Sequence, residues 1–207
     1  MIGAVATVVG VVARQLFALR ENEILLSTDS MTGLANRVEM GKALRQALAR
    51  ASRDRLRVAV LLIDLNGFKE VNDTYGHDAG DRVLVAFGRV LRESVRVMCI
   101  PARLGGDEFA VVVDQLDSAA GAVAVAERIL AKAALERPLT GIPIGIRASI
   151  GIALSTPGQE KDFDTAAEDL LRRSDAMMYR AKQTGGDSWC VEEGEEVAPP
   201  RASPVRP

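Results

Sequence analysis

The segment VMCIPARLGGDEFAVVVD, residues 97–114, predicts two strands joined by a tight turn. Apolar residues dominate 97–104 and 108–114, and Gly105-Gly106 separates them in the manner of a β-hairpin. Glycine adopts positive φ without strain and lets a ligand approach the backbone closely. The turn therefore presents Asp107 and Glu108 either as solvated side chains at a hairpin tip or as part of a binding site.

A second predicted strand ends in another carboxylate. Residues 56–64, LRVAVLLID, form a nearly continuous apolar run that predicts a buried strand ending at Asp64. An ionised carboxylate at such a position is costly unless it is paired or binds a metal. If the two strands are neighbours in one sheet, Asp64 and Glu108 converge. Clustered acids without histidine form a hard-cation site, typical of phosphoryl transfer with Mg²⁺.

The composition limits the other kinds of site. The 207 residues correspond to one domain with extra length, and the net charge of −2 excludes the strongly basic surface that binds nucleic acid. The single histidine, His77, and the two cysteines, Cys99 and Cys190, exclude a self-contained zinc site and a disulfide framework. A metal in this chain would therefore be held by carboxylates, which select Mg²⁺, Mn²⁺ or Ca²⁺.

Apolar periodicity predicts helices on both sides of these strands. They cover residues 36–53 with Asn36 as the N-cap, residues from 78 or 80 to 96, residues 118–134, and residues 165–183. Residues 142–155 predict one strand or two, and residues 189–191 predict a last short strand. The central order is βαββαβ, so we expect an α+β fold with helices packed on a sheet.

The segment LNGFKEVNDTYGHDAGD, residues 65–81, is predicted to be a polar, glycine-rich loop. It can present backbone N–H groups and the Lys69 ammonium to phosphates, although no GxxxxGK[ST] motif occurs in the chain. Asn72 and Asp81 offer an amide and a carboxylate, the groups that pair with the N1–H and N2–H₂ donors of guanine. The alternative for both residues is turn chemistry or helix capping.

The two ends of the chain differ from its middle, so we expect three parts: residues 1–28, a domain over 29–192, and a tail over 193–207. Residues 2–13 are apolar but shorter than the roughly 20 residues that span a bilayer. They are either the cytoplasmic end of a transmembrane helix that begins outside this chain or an apolar helix buried in a dimer. The first alternative would anchor a cytoplasmic domain to the inner face of the cell membrane. Residues 14–29 predict a helix whose heptad spacing indicates either a coiled-coil stalk or a chance match. The acidic, proline-rich tail predicts disorder.

Four blocks together resemble a known family. RLGGDEF at 103–109 is its signature, and DSMTGLANR at 29–37, DLNGFKEVNDTYGHDAGD at 64–81, and ASIGIA at 148–153 followed by SDAMMYRAK at 174–182 match in the expected order. Over about residues 29–191 the chain resembles the GGDEF family, the bacterial diguanylate cyclases. The resemblance implies a palm-like fold: a ferredoxin-like βαββαβ core with a central antiparallel sheet flanked by helices, here preceded by an N-terminal helix.

The resemblance also implies an activity. Members of the family join two GTP molecules into cyclic di-GMP and release two pyrophosphates, using Mg²⁺ or Mn²⁺. Each domain holds one GTP, so the active form is a homodimer. The alternative is a catalytically weak GGDEF domain that binds GTP and regulates a partner.

Residue roles carried over from the family cover metal, base and phosphate contacts. The metal set comprises the carboxylates of Asp64, Asp107 and Glu108 and the backbone carbonyl of Leu65, and the guanine contacts are Asn72 and Asp81. The triphosphate contacts are Lys69, Lys182 and the backbone of Gly67 and Phe68, and the turn against the nucleotide is Gly105 and Gly106. Among these, Asp107, Glu108 and Lys69 are expected to be catalytic, whereas His77 is expected to support the loop. A structural role is also expected for a capped, ion-paired turn at the domain entrance, formed by Asp29, Asn36 and Arg37.

Three positions depart from the family pattern. Asn66 stands where an aspartate is common, and Gly186 stands where many members have an arginine that grips the terminal phosphate. The product-inhibition motif RxxD is Arg96-Val97-Met98-Cys99 here, so its aspartate is missing.

Overall fold

The computed structural model describes residues 27–136, 145–156, 158 and 162–192. Residues 1–26 of the predicted N-terminal helix and stalk, residues 142–144 of the strand predicted at 142–155, and the predicted disordered tail over 193–207 lie outside the described residues. The regular elements of the described part, in chain order, are α1 (Arg37–Asp54), β1 (Arg57–Leu65), α2 (Phe68–Tyr75), α3 (His77–Ser94), β2 (Ile100–Gly105), β3 (Glu108–Leu116), α4 (Ala119–Leu135), β4 (Ala148–Leu154), α5 (Phe163–Gln183) and β5 (Ser188–Val191).

The strands form one mixed sheet in the order β2-β3-β1-β4-β5. The β2–β3, β3–β1 and β1–β4 pairs are antiparallel, as the βαββαβ pattern predicts. The predicted central antiparallel sheet is confirmed, and β5, which follows the βαββαβ core, pairs in parallel with β4, so the sheet as a whole is mixed. The reason is the connection: α5 crosses over between β4 and β5, which returns the chain in the same direction.

Helices cover both faces of the sheet and give it two apolar cores. In β1, Val58, Val60 and Leu62 face α1 and α5, whereas the alternate residues Ala59, Leu61 and Ile63 face α3 and α4. A strand that is buried on both faces has no polar side to show. This explains why residues 56–64 form an unbroken apolar run instead of an alternating one.

Polar side chains cap the N-termini of α1 and α5. Asn36 accepts a hydrogen bond from the Glu39 amide at 3.0 Å and caps α1, as predicted. Asp162 caps α5 by accepting from the Asp164 and Thr165 amides at 3.1 and 3.2 Å. Each cap satisfies amides that the first turn of a helix leaves without a partner.

One predicted element is wrong. Residues 68–75, predicted as part of a loop, form α2, and α3 follows directly from His77. Only Val71 of α2 is buried, so the segment lacks the apolar stripe by which a helix is detected in a sequence. Gly67, in the left-handed conformation at φ 74°, starts this helix.

A close approach between α5 and β4 sets the position of the last helix. A Cβ atom on Gly151 would overlap with the Ser174 carbonyl oxygen and the Met178 nitrogen. Gly151 therefore lets the backbone of α5 rest directly on the backbone of β4. No helix within the described residues is long and apolar enough to cross a membrane.

Candidate active site at the edge of the sheet

Asp64 and Glu108 face each other across the β1–β3 pair. They are register partners, and Asp64 is also the partner of Ser149 in β4. Paired residues on antiparallel neighbours have Cβ atoms about 4.5–5.5 Å apart. The predicted convergence of these two carboxylates is therefore present in the fold, directly beside the hairpin turn that precedes β3.

Lys182 brings a cation to this edge from the end of α5. Its Nζ lies 2.8 Å from Oδ2 of Asp64, whose side chain is only 15% exposed. Burial raises the pKa of Asp64 above its ordinary value, and the negative charge of Asp107 adds to the rise, whereas the hydrogen bond and charge of Lys182 oppose it. The site thus contains a partly desolvated carboxylate that requires a counter-cation.

Arg103 holds the hairpin turn in place. Gly105 and Gly106 have φ of 138° and 53°, which an L side chain rarely adopts. Arg103 donates to the Gly106 carbonyl oxygen from Nε at 3.1 Å and from Nη2 at 2.9 Å, and its Nη1 lies 3.2 Å from Oδ2 of Asp29. The guanidinium therefore ties the turn to the domain entrance.

Asp29 is itself held in place. Its Oδ1 accepts from the amide of Thr32 at 2.8 Å and from the Thr32 hydroxyl at 2.7 Å. Burial works to raise the pKa of Asp29, but the Thr32 hydrogen bonds and the Arg103 charge outweigh it and lower this pKa. The capped, ion-paired turn predicted around Asp29 and Asn36 is present.

Arg37 belongs to the site rather than to the entrance turn alone. Its Nη2 lies 3.6 Å from Oε2 of Glu108, and its Nε donates to the Leu104 carbonyl oxygen at 3.4 Å. Sequence reasoning gave Arg37 a structural role only. Its place in the DSMTGLANR block was the available signal, but nothing in the spacing predicts which carboxylate it meets.

The two predicted guanine contacts come from consecutive helices. Asn72 lies on α2, and Asp81 lies in the first turns of α3. A Cβ atom on Gly80 would overlap with Oδ1 of Asn72 and would lie 3.2 Å from the Phe68 ring. The Asn72 side chain therefore lies over Gly80, and a larger residue at position 80 would displace it. The sequence alone did not reveal this requirement for glycine.

The predicted phosphate-contacting segment starts α2. Gly67 is the N-cap and provides no side-chain hydrogen bond, so the first amides of α2, including those of Phe68 and Lys69, are not capped by a side chain. Lys69 is exposed and forms no ion pair with another described residue. These groups are therefore available to an anion, in line with the predicted role.

Two of the departures from the family pattern touch each other. Ser149 donates to Oδ1 of Asn66 at 2.9 Å, and Nδ2 of Asn66 is buried with no hydrogen-bond partner among the described residues. A Cβ atom on Gly186 would lie 2.8 Å from that Nδ2. Residues 66 and 186 are therefore neighbours across the sheet edge.

The third departure lies away from this edge. Arg96 and Cys99 line a cavity of about 200 Å³, and Arg128 lines it from α4. Cys99 is 7% exposed, and its amide donates to the Arg96 carbonyl oxygen at 2.9 Å. The side chain that replaces the missing aspartate is therefore a buried thiol inside a cavity that contains two arginines.

The donor set fits a hard divalent cation in kind, because all its candidate ligands are oxygens. Within the described ranges, no three histidine, cysteine or carboxylate side chains lie close enough together to enclose a metal ion. A cation at this edge would therefore rest on Asp64 and Glu108, with Asp107 nearby, and would need backbone oxygens such as that of Leu65 or oxygens of a substrate.

Comparison with known proteins agrees with this geometry. An α+β palm with two opposed carboxylates beside a Gly-Gly hairpin defines a class of domain, and the family described as "Diguanylate cyclase, GGDEF domain" matches residues 26–188. The chain belongs to the GGDEF family.

Relatives of known name carry the same domain. The chain is 40% identical over 176 residues to the bifunctional diguanylate cyclase/cyclic di-GMP phosphodiesterase MucR of Pseudomonas aeruginosa, covering 85% of this chain and 25% of MucR. It is 37% identical over 157 residues to the diguanylate cyclase DgcS of Shewanella oneidensis, covering 76% of this chain and 50% of DgcS. The chain thus spans between a quarter and a half of the length of these two relatives.

Solved structures share the fold. The coiled coil and GGDEF domain of DgcB from Caulobacter crescentus, in complex with c-di-GMP, is 25% identical with a TM-score of 0.80, covering 92% of this chain and 98% of that one. The GGDEF domain of TpbB from Pseudomonas aeruginosa is 37% identical with a TM-score of 0.69, covering 80% of this chain and 94% of that one.

Proposed function

We propose that this protein is a diguanylate cyclase, which joins two GTP molecules into cyclic di-GMP and releases two pyrophosphates. The observation that carries the proposal is the pairing of Asp64 with Glu108 beside the Gly105-Gly106 turn, with Lys182 bonded to Asp64. Two carboxylates and an ammonium at one edge are the groups that a cation-bound triphosphate requires.

Binding of the substrate divides between two regions of the site. Asn72 on α2 and Asp81 on α3 accept from the N1–H and N2–H₂ donors of guanine. Lys69, Lys182 and the first amides of α2 contact the triphosphate. Lys182 has a long, flexible side chain, so its ammonium can move from Asp64 to a phosphate oxygen when the nucleotide arrives.

Mg²⁺ or Mn²⁺ is the proposed metal. Asp64, Glu108 and the Leu65 carbonyl oxygen would hold it, and Asp107 would assist with a second ion. When bound, the ions neutralise charge on the triphosphate and lower the pKa of the attacking 3′-hydroxyl. The residues of the chain position the nucleotide: the glycine turn leaves room for it, and the Arg103 bonds to the Gly106 carbonyl keep that turn fixed.

Catalysis requires two copies of the domain. Each site holds one GTP, so two sites facing each other place the 3′-hydroxyl of one nucleotide beside the α-phosphate of the other. Holding both reactants in this geometry replaces a bimolecular encounter by an oriented one. We therefore propose a homodimer as the active form, working on the cytoplasmic side where GTP is supplied. The N-terminal segment is proposed either to anchor the domain to the membrane or to pack as a helix in the dimer.

The second candidate is a GTP-binding regulatory module with weak turnover. Gly186 favours it, because this position carries no cationic side chain for the terminal phosphate. The two candidates differ in one measurement: purified protein is incubated with GTP and Mg²⁺, and cyclic di-GMP is quantified by chromatography. Product formation that is lost in Glu108→Gln supports the cyclase, whereas GTP binding without product supports the module.

A further inference from the structure

Arg147 lies at the same edge of the sheet as the proposed catalytic carboxylates. Its backbone carbonyl oxygen accepts a hydrogen bond from the backbone N–H of Asn66 at 2.9 Å. The next two residues, Ala148 and Ser149, are the register partners of Leu65 and Asp64. Side chains alternate along an extended strand. Arg147 therefore projects toward the same face as Ser149, the face on which Lys182 meets Asp64.

The Arg147 guanidinium lies against the loop that follows α5. Its Nη2 donates to the Gly185 carbonyl oxygen at 3.4 Å, and its Nε lies 4.0 Å from Oδ2 of Asp187. Both contacts are long, and the Arg147 side chain is 57% exposed. Exposed ion pairs of this kind contribute little, so the guanidinium can turn to a stronger anion at small cost.

The loop itself provides no cation at this point. Gly186 lies between the two contacts of Arg147, and the space where its side chain would begin is limited by Nδ2 of Asn66 at 2.8 Å. Lys182 precedes Gly185 by three residues, and its ammonium is bonded to Asp64. Arg147 is thus a loosely held cation at the sheet edge where the triphosphate is proposed to lie, whereas Lys182 at the same edge is already paired with Asp64.

We propose that Arg147 binds the terminal phosphate of the nucleotide. A guanidinium offers parallel N–H donors that match phosphate oxygens, and it is charged at every physiological pH. The inference rests on the proposed function, because it takes the GTP of that proposal as its ligand. It adds a phosphate contact from the residue immediately before β4, which lies outside the four sequence blocks that define the family here.

The test is nucleotide binding without turnover. Affinities for a non-hydrolysable GTP analogue and for GDP are measured by calorimetry with Mg²⁺, for the unaltered chain and for Arg147→Ala. Loss of one charge-assisted contact should weaken the GTP analogue about tenfold and change GDP much less, because GDP lacks the terminal phosphate. Arg172→Ala is the matched control: this exposed arginine of α5 pairs with Asp169, and its removal should change neither affinity.

A second variant separates phosphate binding from support of the loop. If Arg147 acts only by holding Asp187, then Asp187→Ala and Arg147→Ala weaken binding equally. If Arg147 binds phosphate, Asp187→Ala releases the guanidinium and leaves binding of the GTP analogue unchanged or tighter. Thermal unfolding of each variant verifies that it is folded.

The outcomes separate this inference from the proposed function. Equal loss of GTP-analogue and GDP affinity in Arg147→Ala, or no loss of either, overturns the role of Arg147 and leaves the cyclase proposal standing. Failure of the unaltered chain to bind the GTP analogue overturns the cyclase proposal and the Arg147 contact with it.

Discussion

The Nζ atom of Lys182 lies 2.8 Å from Oδ2 of Asp64, so the longest helix described here ends by placing a cation on the carboxylate of the central strand. Without Lys182, Asp64 would be a largely buried charge facing the additional negative charge of Asp107. The chain thus carries its own counter-ion for the place where a metal and a phosphate are proposed to meet.

Replacing Glu108 by Gln should reduce cyclase turnover by orders of magnitude while the fold survives. The change keeps the shape of the side chain but removes one of two charges that face the proposed cation. Turnover is measured by chromatography of cyclic di-GMP, and the fold by circular dichroism. Glu168→Gln on α5 is the control and should remain active. Near-normal turnover in Glu108→Gln would contradict the metal assignment.

The pH dependence of stability should have opposite signs at two aspartates. The pKa of Asp64 is raised in the folded state, so its ionisation opposes folding: its contribution is fully present below the ordinary value of 3.8 and is lost as pH rises through the folded pKa. Asp64→Asn should therefore raise the melting temperature at neutral pH, and the gain should vanish in acid.

At Asp29 the pKa is lowered, so its contribution is present above the ordinary value of 3.8 and is lost as pH falls through the folded pKa. Asp29→Asn should therefore lower the melting temperature at neutral pH, with a loss that shrinks in acid. Thermal unfolding over a pH series, in the presence of a chelator, measures both. Equal signs for the two variants at neutral pH would refute this account.

Selection of guanine should depend on Asn72 and Asp81. Adenine lacks the N1–H donor and presents its amino group elsewhere, so it cannot satisfy both side chains. A site built to hydrogen-bond a substrate group can discriminate by about 10⁴ or more against an analogue that lacks it. The ratio of kcat/KM for GTP and ATP measures this, and comparable values would refute the role of the two residues.

Gly186→Ala should destabilise the fold by roughly 1–3 kcal/mol, because a side chain is strained at a φ of 70° and its Cβ would lie 2.8 Å from Nδ2 of Asn66. Gly41→Ala is the matched control: Gly41 lies within α1, and the nearest atom to its added Cβ is 3.6 Å away on the flexible Arg45 side chain. That variant should be neutral or more stable by up to about 1 kcal/mol. Denaturant unfolding measures both, and equal effects would contradict the crowding at Asn66.

Feedback inhibition by cyclic di-GMP should be weak in this protein. Cys99 takes the place of the aspartate in the product-inhibition motif, and a buried thiol is a poor acceptor for a guanine edge. Cys99→Asp should introduce inhibition, since Arg96 and Arg128 line the same cavity. Progress curves with added micromolar cyclic di-GMP measure this. Strong inhibition of the unaltered chain that Arg96→Ala abolishes would show that the aspartate is dispensable.

The elements that the sequence predicts well are those whose burial leaves a pattern. β1 is an unbroken apolar run because both of its faces are covered, and the β2–β3 hairpin is marked by two glycines. α2 escaped prediction because Val71 is its single buried side chain. A helix that serves to present polar groups gives no apolar period to detect.

Long-range pairings are the part of the site that no local pattern contains. Glu108 and Asp64 could be expected to converge once their strands were taken as neighbours. The contact between Asn66 and Gly186 and that between Arg37 and Glu108 depend on how a distant helix and loop close over the sheet edge. Sequence spacing carries no information on such pairs.

Gly151 controls where the Lys182 ammonium lies. The backbone of α5 rests on this residue at Ser174 and Met178, and Lys182 lies one further helical turn along, about 6 Å from Met178. A single methyl group on residue 151 would push the backbone of α5 away from β4. The displacement would extend along the helix to Lys182. A substitution with no chemistry of its own would then take the cation away from Asp64.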